Sequence, residues 1–210
     1  MCSRQKRKSL HASSLKILKD LYLRWMDEKC RQLLNSLDTK LKNLIEYLGS
    51  YDDKLLNTNP APDKWSPMQI VHHMVLVEHY AQSYCKKKLS LPSSGTQAGF
   101  NPILEKANVI TKLKELCLAL AMRSPYLKAN APKAVNTEFL PTDKNLEETA
   151  RGWKDQRVGF RKFLEEQPSA LFSKKVYKHP LAGRMRFVGM LGFLEAHLDG
   201  HTRQIKGILR

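Results

Sequence analysis

Seven residues near the end of the chain follow one another at steps of three or four: Phe187, Met190, Leu194, His197, His201, Ile205 and Ile208. At 3.6 residues per turn they form one stripe of an α-helix, apolar except for its two histidines. A fold that buries this stripe also turns two imidazoles inward, one helical turn apart. Histidines four apart on one face can converge on a single metal ion, as Zn-binding helices use them. The same spacing also serves two core histidines hydrogen-bonded to neighbours. A third histidine far upstream favours the metal.

The rest of the chain is written largely in the same period. From Asp27 to about Leu48, the leucines at 34, 37, 41, 44 and 48 make one stripe, backed by Leu33 and Ile45, and Gly49-Ser50 ends the helix. Asn57 to Pro62 is a loop by composition. A second helix starts at Ser66-Pro67: serine is the N-cap, proline takes the first turn, and Gln69 completes a capping box. The cap fixes the phase, so that Ile70, His73, Val77, Tyr80 and Tyr84 form one inward stripe. His72 is rotated by about 100° from His73 and lies off that stripe. Glu78, His79 and Glu195 fall off the seams, where solvated side chains are expected.

After a loop at 90–102, Asn101-Pro102 opens a further helix to about Met122, with Ile103, Ala107, Ile110, Leu113, Cys117 and Leu120 as its apolar side. Residues 124–141 contain three prolines and no period, so they read as a connection. The next helix runs from about Asp143 to Glu166, with Leu146, Ala150, Trp153, Phe160 and Leu164 inward. His179-Pro180-Leu-Ala-Gly183 is a tight connection into the last helix, and no strand-like alternation of any length is expected. The fold class that follows is all-α, antiparallel helices closing one core as a bundle.

At 210 residues the chain suffices for one domain with a full core. It divides into a basic N-terminal extension at 1–25, expected to be partly disordered, and a bundle at 26–210. No apolar run approaches the ~20 residues of a membrane span. Cys2, Cys30, Cys85 and Cys117 form no CxxC pair and read as reduced thiols of a cytoplasmic protein. The formal charge of +16 is the unusual quantity. Residues 1–25 carry seven basic residues against Asp20 alone. Such a surface suits an anionic partner, nucleic acid included, but is more often only a solvated face. No phosphate loop, Ser/His/Asp set or Rossmann fingerprint is present.

His73, His197 and His201 therefore make the candidate metal site. An imidazole turned into a core needs a partner, because burying it bare costs a few kcal/mol. One shared ion partners all three and keeps positions open for water or substrate. Nitrogen ligands suit Zn, Ni, Fe or Cu alike.

Three segments carry a resemblance: Lys64 to Met74 around the capping box, His179 to Gly183, and His197-Leu-Asp-Gly-His201-Thr-Arg-Gln204-Ile205. Together they resemble the signature segments of the DinB/YfiT-like metalloprotein superfamily, the damage-inducible helical proteins rather than the polymerase of that name. The resemblance covers roughly 26–210. It implies a DinB-like four-helix bundle with a long crossover and an extra helix between the second and third core helices. It implies a divalent ion (Zn, Ni or Fe) on His73, His197 and His201, and activity as a metal-dependent hydrolase or a transferase using a low-molecular-weight thiol. It also implies a small-molecule substrate and, as in many members, a homodimer. The alternative is a non-enzymatic binding protein with a structural ion and a basic surface for nucleic acid or another anionic partner. One departure stands out: many relatives have a histidine just before the last ligand, and this chain has Gly200. The sequence assigns no catalytic base; His179 in its turn could reach a substrate or simply cap the turn.

Overall fold

The computed structural model describes residues 28–90, 102–123, 143–167, 172 and 175–210, with side chains of the 102–123 helix described from 110 to 122. The elements in order are α1 (28–48), α2 (Asp53–Asn57), α3 (Pro67–Leu89), α4 (Pro102–Arg123), α5 (Leu146–Glu165), β1 (Lys175–His179), β2 (Gly183–Arg186) and α6 (Phe187–Ile208). Residues 1–25, and the connection at 124–141, lie outside the described residues.

Short polar side chains begin three of the helices. Asp52 accepts the Leu55 N–H, Asn145 accepts the Glu148 N–H, and Ser66 accepts the Gln69 N–H. Gln69 Oε1 accepts the Ser66 N–H in return, at 3.0 Å, so the expected capping box is formed. Helix α6 begins differently. Its N-cap, Arg186, makes no side-chain cap; the Arg186 N–H donates instead to Glu115 of α4, at 2.8 Å. The same carboxylate accepts from the Arg186 guanidinium, at 2.6 Å to Nη2, and both side chains are buried.

Helices α1, α3, α5 and α6 form a four-helix bundle, and the passage from α3 to α5 by way of α4 is its long crossover. Ser36 and Lys40 of α1 bond Glu195 and Asp199 of α6, four residues apart in each helix, so α1 and α6 run in the same direction. Leu37, Leu41, Leu44 and Leu48 of α1 are buried, as are Leu146, Ala150, Trp153, Phe160 and Leu164 of α5, in agreement with the spacing, while at the start of α1 Leu33 is the buried leucine and Leu34 is half-buried. The short helix α2, which the sequence pattern did not announce, places Leu56 fully inside.

Helix α3 requires a correction. Its inward stripe is Ile70, Met74, Glu78, Ala81, Cys85 and Leu89, while Tyr80 and Tyr84 are exposed. Glu78, expected in solvent, is buried because α5 brings Arg157 and Trp153 against it. Helix α4 requires another. Thr111, Glu115 and Leu118 face inward, and Ile110, Leu113, Cys117 and Leu120 face outward. The expectation of no strands also fails. β1 and β2 pair antiparallel, with His179 opposite Gly183, and Gly183 adopts φ +71 to close the turn. Strands of five and four residues are too short to show an alternation.

Candidate metal centre

Three elements set the site. The capping box fixes the start of α3 and therefore the direction of His73. The apolar stripe of α6 carries His197 and His201 inward. The hairpin places His179 beside them. Nε2 of His197 lies 3.1 Å from Nε2 of His73 and 3.1 Å from Nε2 of His201. A ligand nitrogen from each of the three falls within 4.8 Å of the others. The three histidines expected from sequence are the three that meet.

Their surroundings fit a cation. Nitrogens bound at ~2.0–2.1 Å to a tetrahedral ion stand ~3.3 Å apart, close to the spacing here. Shared ring protons serve three converging nitrogens poorly, whereas an ion uses every lone pair. Burial holds the pKa of His197 well below the usual imidazole range, with the charges of His201, His73 and His179 adding to the effect. Burial likewise lowers His201, against the opposing pull of its bond to Gln204. Neutral imidazole is the form that ligates a metal. Gln204 Oε1 accepts from His201 Nδ1 at 2.8 Å, which keeps the proton on Nδ1 and leaves Nε2 bare. The ring of Trp65 packs on His73, with centroids 4.9 Å apart, and Phe193 lies 5.5 Å from His197.

His179 packs edge-on against Phe193, at 4.6 Å between centroids. Its Nδ1 accepts the N–H groups of Leu181 and Ala182, at 3.1 and 3.2 Å. The ring therefore caps its own turn and carries its proton on Nε2. Burial pushes its pKa down to about 4. His72 takes no part in the three-histidine cluster, as the helix phase predicts. Neither of its ring nitrogens has a hydrogen-bond partner among the described residues.

Gly200 has a steric explanation. A Cβ there would stand 2.6 Å from the carbonyl oxygen of Met122 in α4. At Gly189 a side chain would collide with the Glu115 carboxylate. These two glycines let α4 lie directly on α6. Gly192 and Gly207 meet nothing within 4 Å and have no such role.

The DinB superfamily model matches residues 36–205. The chain belongs to the DinB superfamily. Among solved structures, YfiT from Bacillus subtilis, described as a probable metal-dependent hydrolase with an unusual four-helix bundle topology, matches at 19% identity. That match covers 87% of this chain and 85% of YfiT, with a TM-score of 0.49. A comparison with curated proteins finds none that matches. Gln204 beside the histidine cluster and Glu115 at the start of α6 were not singled out from sequence. Gln204 was legible in principle, since it sits three residues after His201 on the same helix. Glu115 was not, since its partner Arg186 is 71 residues away.

Proposed function

We propose that this DinB superfamily protein is a metal-dependent enzyme acting on a small molecule, by hydrolysis or by transfer of a low-molecular-weight thiol. The observation that carries the reading is the convergence of a ring nitrogen from each of three histidines within 4.8 Å, on the inward faces of two helices. His73, His197 and His201 would hold a divalent ion of the Zn, Ni or Fe kind, and three protein ligands leave positions for an exchangeable group. When bound, such an ion acts as a Lewis acid that polarises a carbonyl and lowers the pKa of a bound water or thiol. The residues around it prepare that chemistry. Gln204 orients His201, burial keeps His197 neutral, and Trp65 and Phe193 pack rings against the ligands. His179 presents a neutral ring one aromatic layer away.

The test is metal content by mass spectrometry on untagged protein purified without chelator, beside the His73→Ala/His197→Ala/His201→Ala variant. Near-stoichiometric metal in the native protein and none in the variant is expected. Turnover screens with and without added thiol then separate transfer from hydrolysis. Native protein that takes up no metal even on reconstitution would overturn the reading.

A further inference from the structure

Helix α4 is turned inside out. Its inward face carries Thr111 and Glu115, while Ile110, Leu113, Leu116 and Leu120 point outward, each between 56 and 59% exposed. The helix cannot roll to bury them. Glu115 is held by Arg186 and caps α6, and the backbone of Met122 sits against Gly200. Rolling would strip a buried carboxylate of its guanidinium and open the glycine contact, so the apolar ridge is fixed to the outside.

We propose that this ridge is a docking surface for an anionic lipid bilayer, on which the protein lies without crossing. At about 100° per residue, the ridge from Ile110 through Leu113, Leu116, Cys117 and Leu120 spans about 120° of the helix, over a length of ~15 Å. Lys112 and Lys114, both exposed, stand about 40° outside its two edges. Aliphatic side chains in the middle with a lysine on each flank is the pattern of an interfacial helix: the leucines enter the acyl boundary and the ammonium groups reach back to phosphates. The chain as a whole carries +16, which adds long-range attraction to a negative surface. No helix among the described residues is long and apolar enough to cross a membrane.

Two other occupants fit less well. The four side chains expose roughly 400 Å², about half of the ~800 Å² that each partner buries in a standard interface. A second copy laid ridge to ridge would also bring its own lysines against Lys112 and Lys114. Nucleic acid gains nothing from aliphatic side chains, because its affinity rests on phosphate contacts.

The experiment is co-sedimentation of the full chain with vesicles of phosphatidylcholine alone and of phosphatidylcholine mixed with phosphatidylglycerol. Wild-type protein should sediment with the mixed vesicles and not with the neutral ones. Leu113→Ser/Leu116→Ser/Leu120→Ser should weaken that binding at least ~10-fold, and Lys112→Glu/Lys114→Glu should weaken it and flatten its salt dependence. Both variants alter exposed positions, and unchanged far-ultraviolet circular dichroism confirms their fold. Alkylation of Cys117 should slow when mixed vesicles are present. Absence of binding by the wild type overturns the proposal. So does binding that the serine variant retains in full, which would place it on the basic N-terminal segment. A dimer in light scattering that the serine substitutions abolish, with no vesicle binding, would assign the ridge to a second copy and overturn it equally.

Discussion

Arg157 of α5 grips Glu78 of α3 with both arms of its guanidinium, Nε to Oε1 at 2.8 Å and Nη2 to Oε2 at 2.7 Å, in the core of the bundle. Trp153 Nε1 donates to Oε2 at 2.8 Å, and Gln82 donates to Oε1 at 2.8 Å. Nη1 of Arg157 reaches the Leu37 carbonyl at 2.6 Å, so the pair ties α1, α3 and α5 together. Each oxygen of the carboxylate and each nitrogen of the guanidinium has a partner, which is what permits two charges to sit where water is excluded.

Removing one member of this pair should therefore be far worse than removing both. Glu78→Ala strips a buried guanidinium of its bidentate partner and leaves it only the half-exposed Asp38 carboxylate, 3.4 Å from Nη1, and a loss of about 3–5 kcal/mol is expected. Glu78→Gln/Arg157→Met removes both charges and should lose much less. Urea unfolding of the single and double variants measures the difference. A double-variant loss equal to the sum of the losses of Glu78→Gln alone and Arg157→Met alone would show that the pair is not coupled.

The same pair shows what the sequence could and could not disclose. Glu78 lies four residues after Met74 and three before Ala81, in the buried register, but a carboxylate in an apolar stripe is rejected unless its partner is known. The partner is 79 residues away. The stripe that runs through Ile70, His73 and Val77 takes Tyr80 and Tyr84 inward as well, and both are exposed in the fold. Helix α4 failed for a related reason. Its periodicity was real, but it described the outward face, because the inward face is held by an ion pair and by glycines of α6. The three-histidine cluster was legible because its information is local. A capping box sets the phase of His73, and a four-residue step sets His197 and His201 together.

The two kinds of glycine in α6 should respond oppositely to a methyl group. At Gly192 an added Cβ meets nothing, so Gly192→Ala should raise stability by about 0.5–1 kcal/mol through helix propensity. At Gly200 it meets the Met122 backbone at 2.6 Å, and Gly200→Ala should cost about 1–3 kcal/mol and loosen α4. Thermal unfolding gives the sign of each change. Limited proteolysis shows whether α4 becomes the first site of cleavage in the Gly200 variant.

The cysteines should differ sharply in reactivity. Cys85 is buried, and burial pushes its thiol pKa up to about 12, so almost no thiolate forms at neutral pH. Cys30 is buried as well, while Cys117 lies exposed on the α4 ridge. Iodoacetamide followed by peptide mass spectrometry should label Cys117 in the folded protein and reach Cys30 and Cys85 only after denaturation.

Gln204 is expected to act on the metal without touching it. Its Oε1 fixes the Nδ1 proton of His201, and losing such a partner commonly lowers metal affinity 10–100-fold. Gln204→Leu should show that loss in a competition titration with a chromogenic chelator. Gln204→Glu keeps an acceptor and should retain tight binding. Because the residue sits on an exposed turn of α6, the melting temperature of the metal-free protein should hardly move.

Acid should destabilise the metal-free bundle through its buried histidines. His179 is held at about 4 by burial, and burial also lowers His197 and His201, while an unfolded chain takes up these protons near pH 6.5. Between those values the unfolded state binds more protons, so stability falls as pH falls. It is fully present above ~6.5 and is lost progressively as pH falls toward ~4, each histidine contributing at most ~1.4 kcal/mol per pH unit. Urea midpoints measured with chelator across this range should show the decline. His179→Asn, which keeps a polar side chain in the turn but cannot titrate, should reduce the slope across the whole window from ~6.5 to ~4. An unchanged slope in that variant would mean that His179 does not stay neutral in the fold.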